Sequence, residues 1–104
     1  MPPAREERMI VDLVTFRVKR GKEQEFERQN DEWLALMRRA RGFIGQVLMR
    51  NAEDPVEYHA EVRWVSKEYR DRFAAHEDAS SKALIQRGAA VLDGPPSHRV
   101  LEQV

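Results

Sequence analysis

The chain has 104 residues, with 18 Lys+Arg against 18 Asp+Glu, three His and no Cys. That length fits one domain, and zero formal net charge removes the basic surplus that nucleic-acid or anionic-membrane binding needs. The absence of Cys excludes disulfides, thiolate nucleophiles and Cys-ligated zinc. No apolar run nears the roughly 18 residues of a membrane span, and MPPAREER lacks a signal-peptide core, so a cytoplasmic setting is expected.

Residues 1–8, Pro-rich and charged, read as a flexible arm before a single domain over 9–104. Ile10, Val14, Phe16 and Val18 then alternate up to Gly21, which predicts a strand closed by a turn. Over 22–41 the residues Phe26, Trp33, Leu34, Met37 and Ala40 recur at helical spacing among mixed charges, and Gly42 is the stop. FIGQVLMR (43–50) returns to strand composition, and Asn51, Asp54 and Pro55 break it. From 56 to 65 Tyr58, Ala60, Val62 and Trp64 alternate with Glu57, His59, Glu61 and Arg63, predicting the second arm of a hairpin.

Ser66 precedes Lys67, Glu68 and Tyr69 as an N-cap, with Tyr69, Phe73 and His76 on one helix face. The pattern weakens over 76–81, resumes through Ala83, Leu84, Ile85 and Val91, and ends at Asp93-Gly94-Pro95-Pro96 before a short last strand, SHRVLEQV. The order β-α-β-β-α-β predicts a ferredoxin-like α+β fold, a four-stranded antiparallel sheet with its helices on one face. The open face is expected to carry Val11, Leu13, Thr15 and Arg17 from the first strand and Ile44, Gln46, Leu48 and Arg50 from the second. Half of these are large and aliphatic, so a second copy is expected to cover them in a homodimer.

A strand ending VKRG, a helix containing EFER, then RGFIG, an apolar strand, an EDP turn and a strand ending WVSKE follow one another in this order. The set resembles the antibiotic biosynthesis monooxygenase family from about Ile10 to Phe73, with Arg41 where Pro often precedes the Gly-Phe. The resemblance implies a dimeric α+β barrel. Some relatives oxidise aromatic polyketides with dioxygen and neither metal nor flavin; others degrade haem with an Asn, a Trp and a His. Aligned on Gly21 and Trp64, those three haem-degrading positions fall on Val14, Phe73 and Ala83, which disfavours haem degradation. The Trp of the anthrone-oxidising relatives is matched by Trp64, whereas their amide side chain falls at Ala60.

Cofactor-free oxygenation needs a base, hydrogen-bond donors for the resulting anion, and a pocket that excludes water. The helix side of the sheet offers Asp12, Val14, Tyr58 and Trp64, and the second helix adds Tyr69, Phe73 and His76. His76 is the natural base because imidazole titrates at about 6.5 unperturbed. Asp12, odd on an apolar strand face, is the alternative base if buried and a paired surface carboxylate if not. Trp64, Tyr58, Tyr69, Phe73 and Val14 are the expected substrate walls and donors, Trp64 doubling as core. His59, Glu61 and Arg63 read as an interface ion-pair network with Arg17 or Arg50; no third metal ligand is evident. His98, after the Pro-Pro turn, reads as surface, and the five glycines form no phosphate-cradling loop. The first functional reading is therefore a cofactor-independent, metal-free monooxygenase of a small aromatic or quinol-like compound. The second is a non-catalytic dimer that binds a small hydrophobic ligand or serves in stress response.

Overall fold

The computed structural model describes residues 8–76 and 78–104. They form β1 (Ile10–Arg17), α1 (Glu23–Arg38), β2 (Phe43–Arg50), β3 (Glu57–Trp64), α2 (Lys67–Ala75), α3 (Ala79–Val91) and β4 (Ser97–Glu102). The strands pair antiparallel in the order β2-β3-β1-β4, which is the ferredoxin-like α+β arrangement. Apart from Arg8, the expected N-terminal arm lies outside the described residues. The single second helix expected from the sequence is two helices. The chain leaves α2 at His76, and Asp78 starts α3 by accepting a hydrogen bond from the Ser81 backbone N–H at 2.8 Å.

Strict alternation in β3 buries Tyr58, Ala60, Val62 and Trp64 and turns Glu57, His59, Glu61 and Arg63 the other way. Register then fixes the helix side of β1: Ile10 stands opposite Trp64, Asp12 opposite Val62, Val14 opposite Ala60 and Phe16 opposite Tyr58. Helix α1 brings Phe26 and Met37 down onto this face, eleven residues and three turns apart. Two core clusters result. Ile10, Met37, Ala60, Val62 and Trp64 form one, while Val18, Phe26, Tyr58 and Val91 form the other. Each large apolar side chain so buried contributes about 1.5–3 kcal/mol.

Strand β2 departs from the expected register. A bulge between Phe43 and Gly45 inserts one residue and reverses the faces that follow. Gln46, Leu48 and Arg50 therefore lie on the helix side, opposite Val62, Ala60 and Tyr58. The open face receives Val47 and Met49 instead, both exposed, and Ile44 is exposed beside them. The open face also carries Val11, Leu13 and Leu101.

The charged stripe on that face is paired within the chain. His59 lies 3.0 Å from the Thr15 hydroxyl through Nδ1 and 2.7 Å from Glu57 through Nε2. Arg63 bonds Glu61 at 3.1 Å, and Arg17 bonds Asp54 at 3.0 Å. Arg50 cannot join this stripe, because the bulge has turned it to the other side of the sheet.

Candidate functional site

Trp64 ends β3 with only 1% of its surface exposed. Phe43 stands edge-on to it at 5.5 Å, and Phe73 from α2 lies 5.3 Å away at 38°. Trp33 of α1 stands edge-on to Phe73, with ring centres 6.3 Å apart. Among the described residues, the indole N–H of Trp64 is buried without a hydrogen-bond partner. An unpaired buried donor is costly in a finished core.

Two cavities open beside this aromatic group, and Ala40, Phe73 and His76 border both. One, about 220 Å³, is completed by Arg41, Tyr69 and Arg72; its walls are almost wholly apolar. The other, about 300 Å³, reaches Leu36, Arg39, Asp78 and Ser81. His76 stands at their shared rim with its side chain 77% exposed and Nε2 3.8 Å from Asp78. Tyr69 packs against Gly42, and the Arg72 guanidinium lies 5.5 Å over its ring.

The structure thus gathers Tyr69, Phe73 and His76 around one place, with Trp64 directly behind Phe73. Asp12, Val14 and Tyr58 are elsewhere. Asp12 accepts hydrogen bonds from Arg70 Nε at 3.0 and 3.2 Å, and His98 Nε2 lies 3.0 Å from the same carboxylate. His98 is exposed, as its place after the Pro-Pro turn suggests, and is engaged by Asp12. Burial works to lower the pKa of Arg70, but its bonds to Asp71 and Asp12 overcome this and hold it above the ordinary value. Val14 sits half-buried between Ala60 and His98.

Tyr58 belongs to the second core cluster. Its hydroxyl donates to Glu27 at 2.6 Å. Burial raises its pKa, and the Glu27 carboxylate adds to the rise, while Arg50 acts against it. It faces a third cavity, about 530 Å³, between α1 and β2, together with Asn30, Gln46 and Arg50. Asn30 and Gln46 exchange two amide hydrogen bonds of 3.0 Å each. The polar groups of this cavity largely satisfy one another, whereas the aromatic site keeps an unpaired donor. Sequence reasoning missed Glu27, Arg50 and Arg70. The first and third lie within charge-rich helices where nothing distinguishes them, and alternation alone predicts Arg50 on the open face, which the bulge in β2 reverses.

Among the described residues no group of three or more His, Asp or Glu could hold a metal ion, and no helix is long and apolar enough to cross a membrane. The fold and site define a small ferredoxin-like α+β domain with an aromatic-walled cavity between the C-terminal end of α1 and α2. The family description "Antibiotic biosynthesis monooxygenase" matches residues 9–83, so the chain belongs to that family. SnoaB of Streptomyces nogalater, a cofactor-independent oxygenase, superposes with a TM-score of 0.79 at 19% identity, over 90% of this chain and 91% of that one. A conserved protein of Methanosarcina mazei Go1 superposes with a TM-score of 0.83 at 16% identity, over 97% and 98% of the two chains. At such identities the likeness extends to the fold alone. None of the curated proteins matches the chain.

Proposed function

We propose that the protein oxidises a small aromatic or quinol-like compound with dioxygen and without a cofactor. The observation that carries this reading is the aromatic cavity: Phe73 and Tyr69 form its wall, His76 its rim, and the buried Trp64 N–H lies unpaired behind it. Family membership and the likeness to a cofactor-independent oxygenase support it.

In this reading His76 takes a proton from an activated ring CH₂ of the substrate. The carbanion gives one electron to dioxygen, and the superoxide and substrate radical combine to a peroxide. Cleavage of the O–O bond with loss of water leaves a carbonyl, so CH₂ and O₂ become C=O and H₂O. The Tyr69 hydroxyl, on the cavity wall, donates to the developing oxyanion, and the Trp64 N–H adds to it once Phe73 moves aside. Asp12, the other candidate base, has its carboxylate committed to Arg70 and His98. Tyr58 and Val14, on the helix side of the sheet, stand apart from this cavity. The working unit is a homodimer with the open sheet faces opposed, which covers Val47, Met49 and Leu101.

Oxygen uptake with a panel of anthrones and quinols tests the reading. The expected outcome is turnover by the wild type and a fall of about a hundredfold or more in kcat for His76→Ala, with a smaller effect for Asp12→Asn. Equal rates in all three proteins would remove His76 as base. The close packing of Trp64 favours a second reading, a non-catalytic binder of a small hydrophobic ligand, and ligand binding with no uptake above background would decide for it.

A further inference from the structure

Three residues of the candidate site, Tyr69, Phe73 and His76, are carried by α2 and its C-cap, and this nine-residue helix buries none of its residues fully. A helix so short has no stability of its own in water, so its ties to the rest of the fold decide where it sits. In its first half Tyr69 lies against Gly42. Beside it Arg70 reaches the sheet: Nε bonds both Asp12 oxygens, Nη1 bonds Asp71 at 3.0 Å, and Nη2 lies 3.4 Å from His98 Nε2. Asp12 and Arg70 are 14% and 20% exposed, so this cluster is largely withdrawn from water. It joins α2 to β1 and to β4. The second half of α2 rests on the sheet through Phe73 against Trp64, and the helix ends at His76.

Phe73 covers Trp64, and the unpaired indole N–H lies in the same closed interior. No small molecule reaches that donor while α2 is fully seated. We infer that α2 is a lid over Trp64, and that Asp12, Arg70 and His98 are the positioning residues that latch it. The charge-assisted contacts of Arg70, through Nε to both Asp12 oxygens and through Nη1 to Asp71, return the helix to one seat with defined orientation, while the modest apolar contact beneath lets it lift. The oddity of a carboxylate on the apolar face of β1 follows: Asp12 is there to receive Arg70. The lid rests on the oxygenase reading for its purpose, but its test uses no substrate.

Hydrogen exchange of the full chain, resolved by segment, compares the wild type with Asp12→Asn, Arg70→Met and Arg70→Lys. The expected result is exchange of the α2 amides at least about tenfold faster in Asp12→Asn and Arg70→Met, with α1 and β3 unchanged. Arg70→Lys, which keeps charge on a single nitrogen, falls between. In a Trp33→Phe background, acrylamide quenching of Trp64 rises by about twofold or more in the same variants. Unchanged α2 exchange overturns the lid, and so does equal acceleration in α1 and β3, which would make the cluster a support of the whole fold. If Arg70→Met does not fold, Arg70→Lys and Asp12→Asn decide by the same criterion. Absence of oxygen uptake in every protein removes the oxygenase reading and leaves the lid standing.

Discussion

Gly42 combines two constraints at a single residue. Its φ of +84° lies in the left-handed region, where a side chain costs roughly 1 kcal/mol. A Cβ there would also overlap the Tyr69 side chain. Gly21 and Gly94 have similar φ values with open space around them. Gly42→Ala is therefore expected to cost about 2 kcal/mol or more, and Gly21→Ala about 1 kcal/mol, both measured by urea unfolding. Equal losses would show that Tyr69 yields freely. Gly42 was legible in the sequence as a break, although α1 already ends at Arg38 and the glycine serves the turn into β2. Its contact with Tyr69 was not, because that is set by how α2 docks. The same holds for Asp12. Its oddity on the strand was visible, but its partner lies 58 residues away on a helix face that carries several other charges.

Between elements, the amide pair Asn30–Gln46 is the clearest tie of α1 to β2. Removing one amide strands its partner, so the single losses overstate the bond. A double-mutant cycle with Asn30→Ala and Gln46→Ala is expected to give a coupling of about 1 kcal/mol; a coupling near zero would mean that water replaces the pair. This tie could not be read from FIGQVLMR. Both faces of that segment carry large apolar residues, so alternation alone leaves the strand's orientation undetermined, and the bulge at Phe43/Gly45 decides it. β3 had no such ambiguity, because its polar and apolar residues alternate without exception, and the sequence reading placed every one of them on the correct face. The break between α2 and α3 lay between these cases. It was visible as weakened periodicity over 76–81, yet it took Asp78 capping Ser81 to make two helices of it.

At the scale of the molecule, three carboxyls link stability to acid. Arg17 lowers the pKa of Asp54, Lys67 and Arg70 that of Asp71, and the Ser81 backbone N–H that of Asp78. Each binds protons less tightly when folded, so its stabilising effect is present above the unfolded value of about 3.9. That effect is lost as pH falls through the lower folded values. Melting temperature is expected to be level above about pH 5 and to fall below about pH 4, the fall shrinking in Asp54→Asn. The open face supplies the larger-scale prediction. Its centre partners its own polar groups, Glu57 with His59 by a hydrogen bond and Glu61 with Arg63 by an ion pair, while Val47, Met49 and Leu101 remain exposed around them. A surface whose polar groups are already partnered within each chain can meet a copy of itself without leaving them unpaired. Two-fold symmetry then presents every residue to the interface twice, so Met49→Glu introduces two carboxylates among apolar side chains. Sedimentation at micromolar concentration is expected to give a dimer for the wild type and for Gln24→Glu, on the exposed side of α1, and a monomer for Met49→Glu with unchanged circular dichroism. A monomeric wild type, or a Met49→Glu dimer as tight as the wild type, would assign this face to something other than a second copy of the chain.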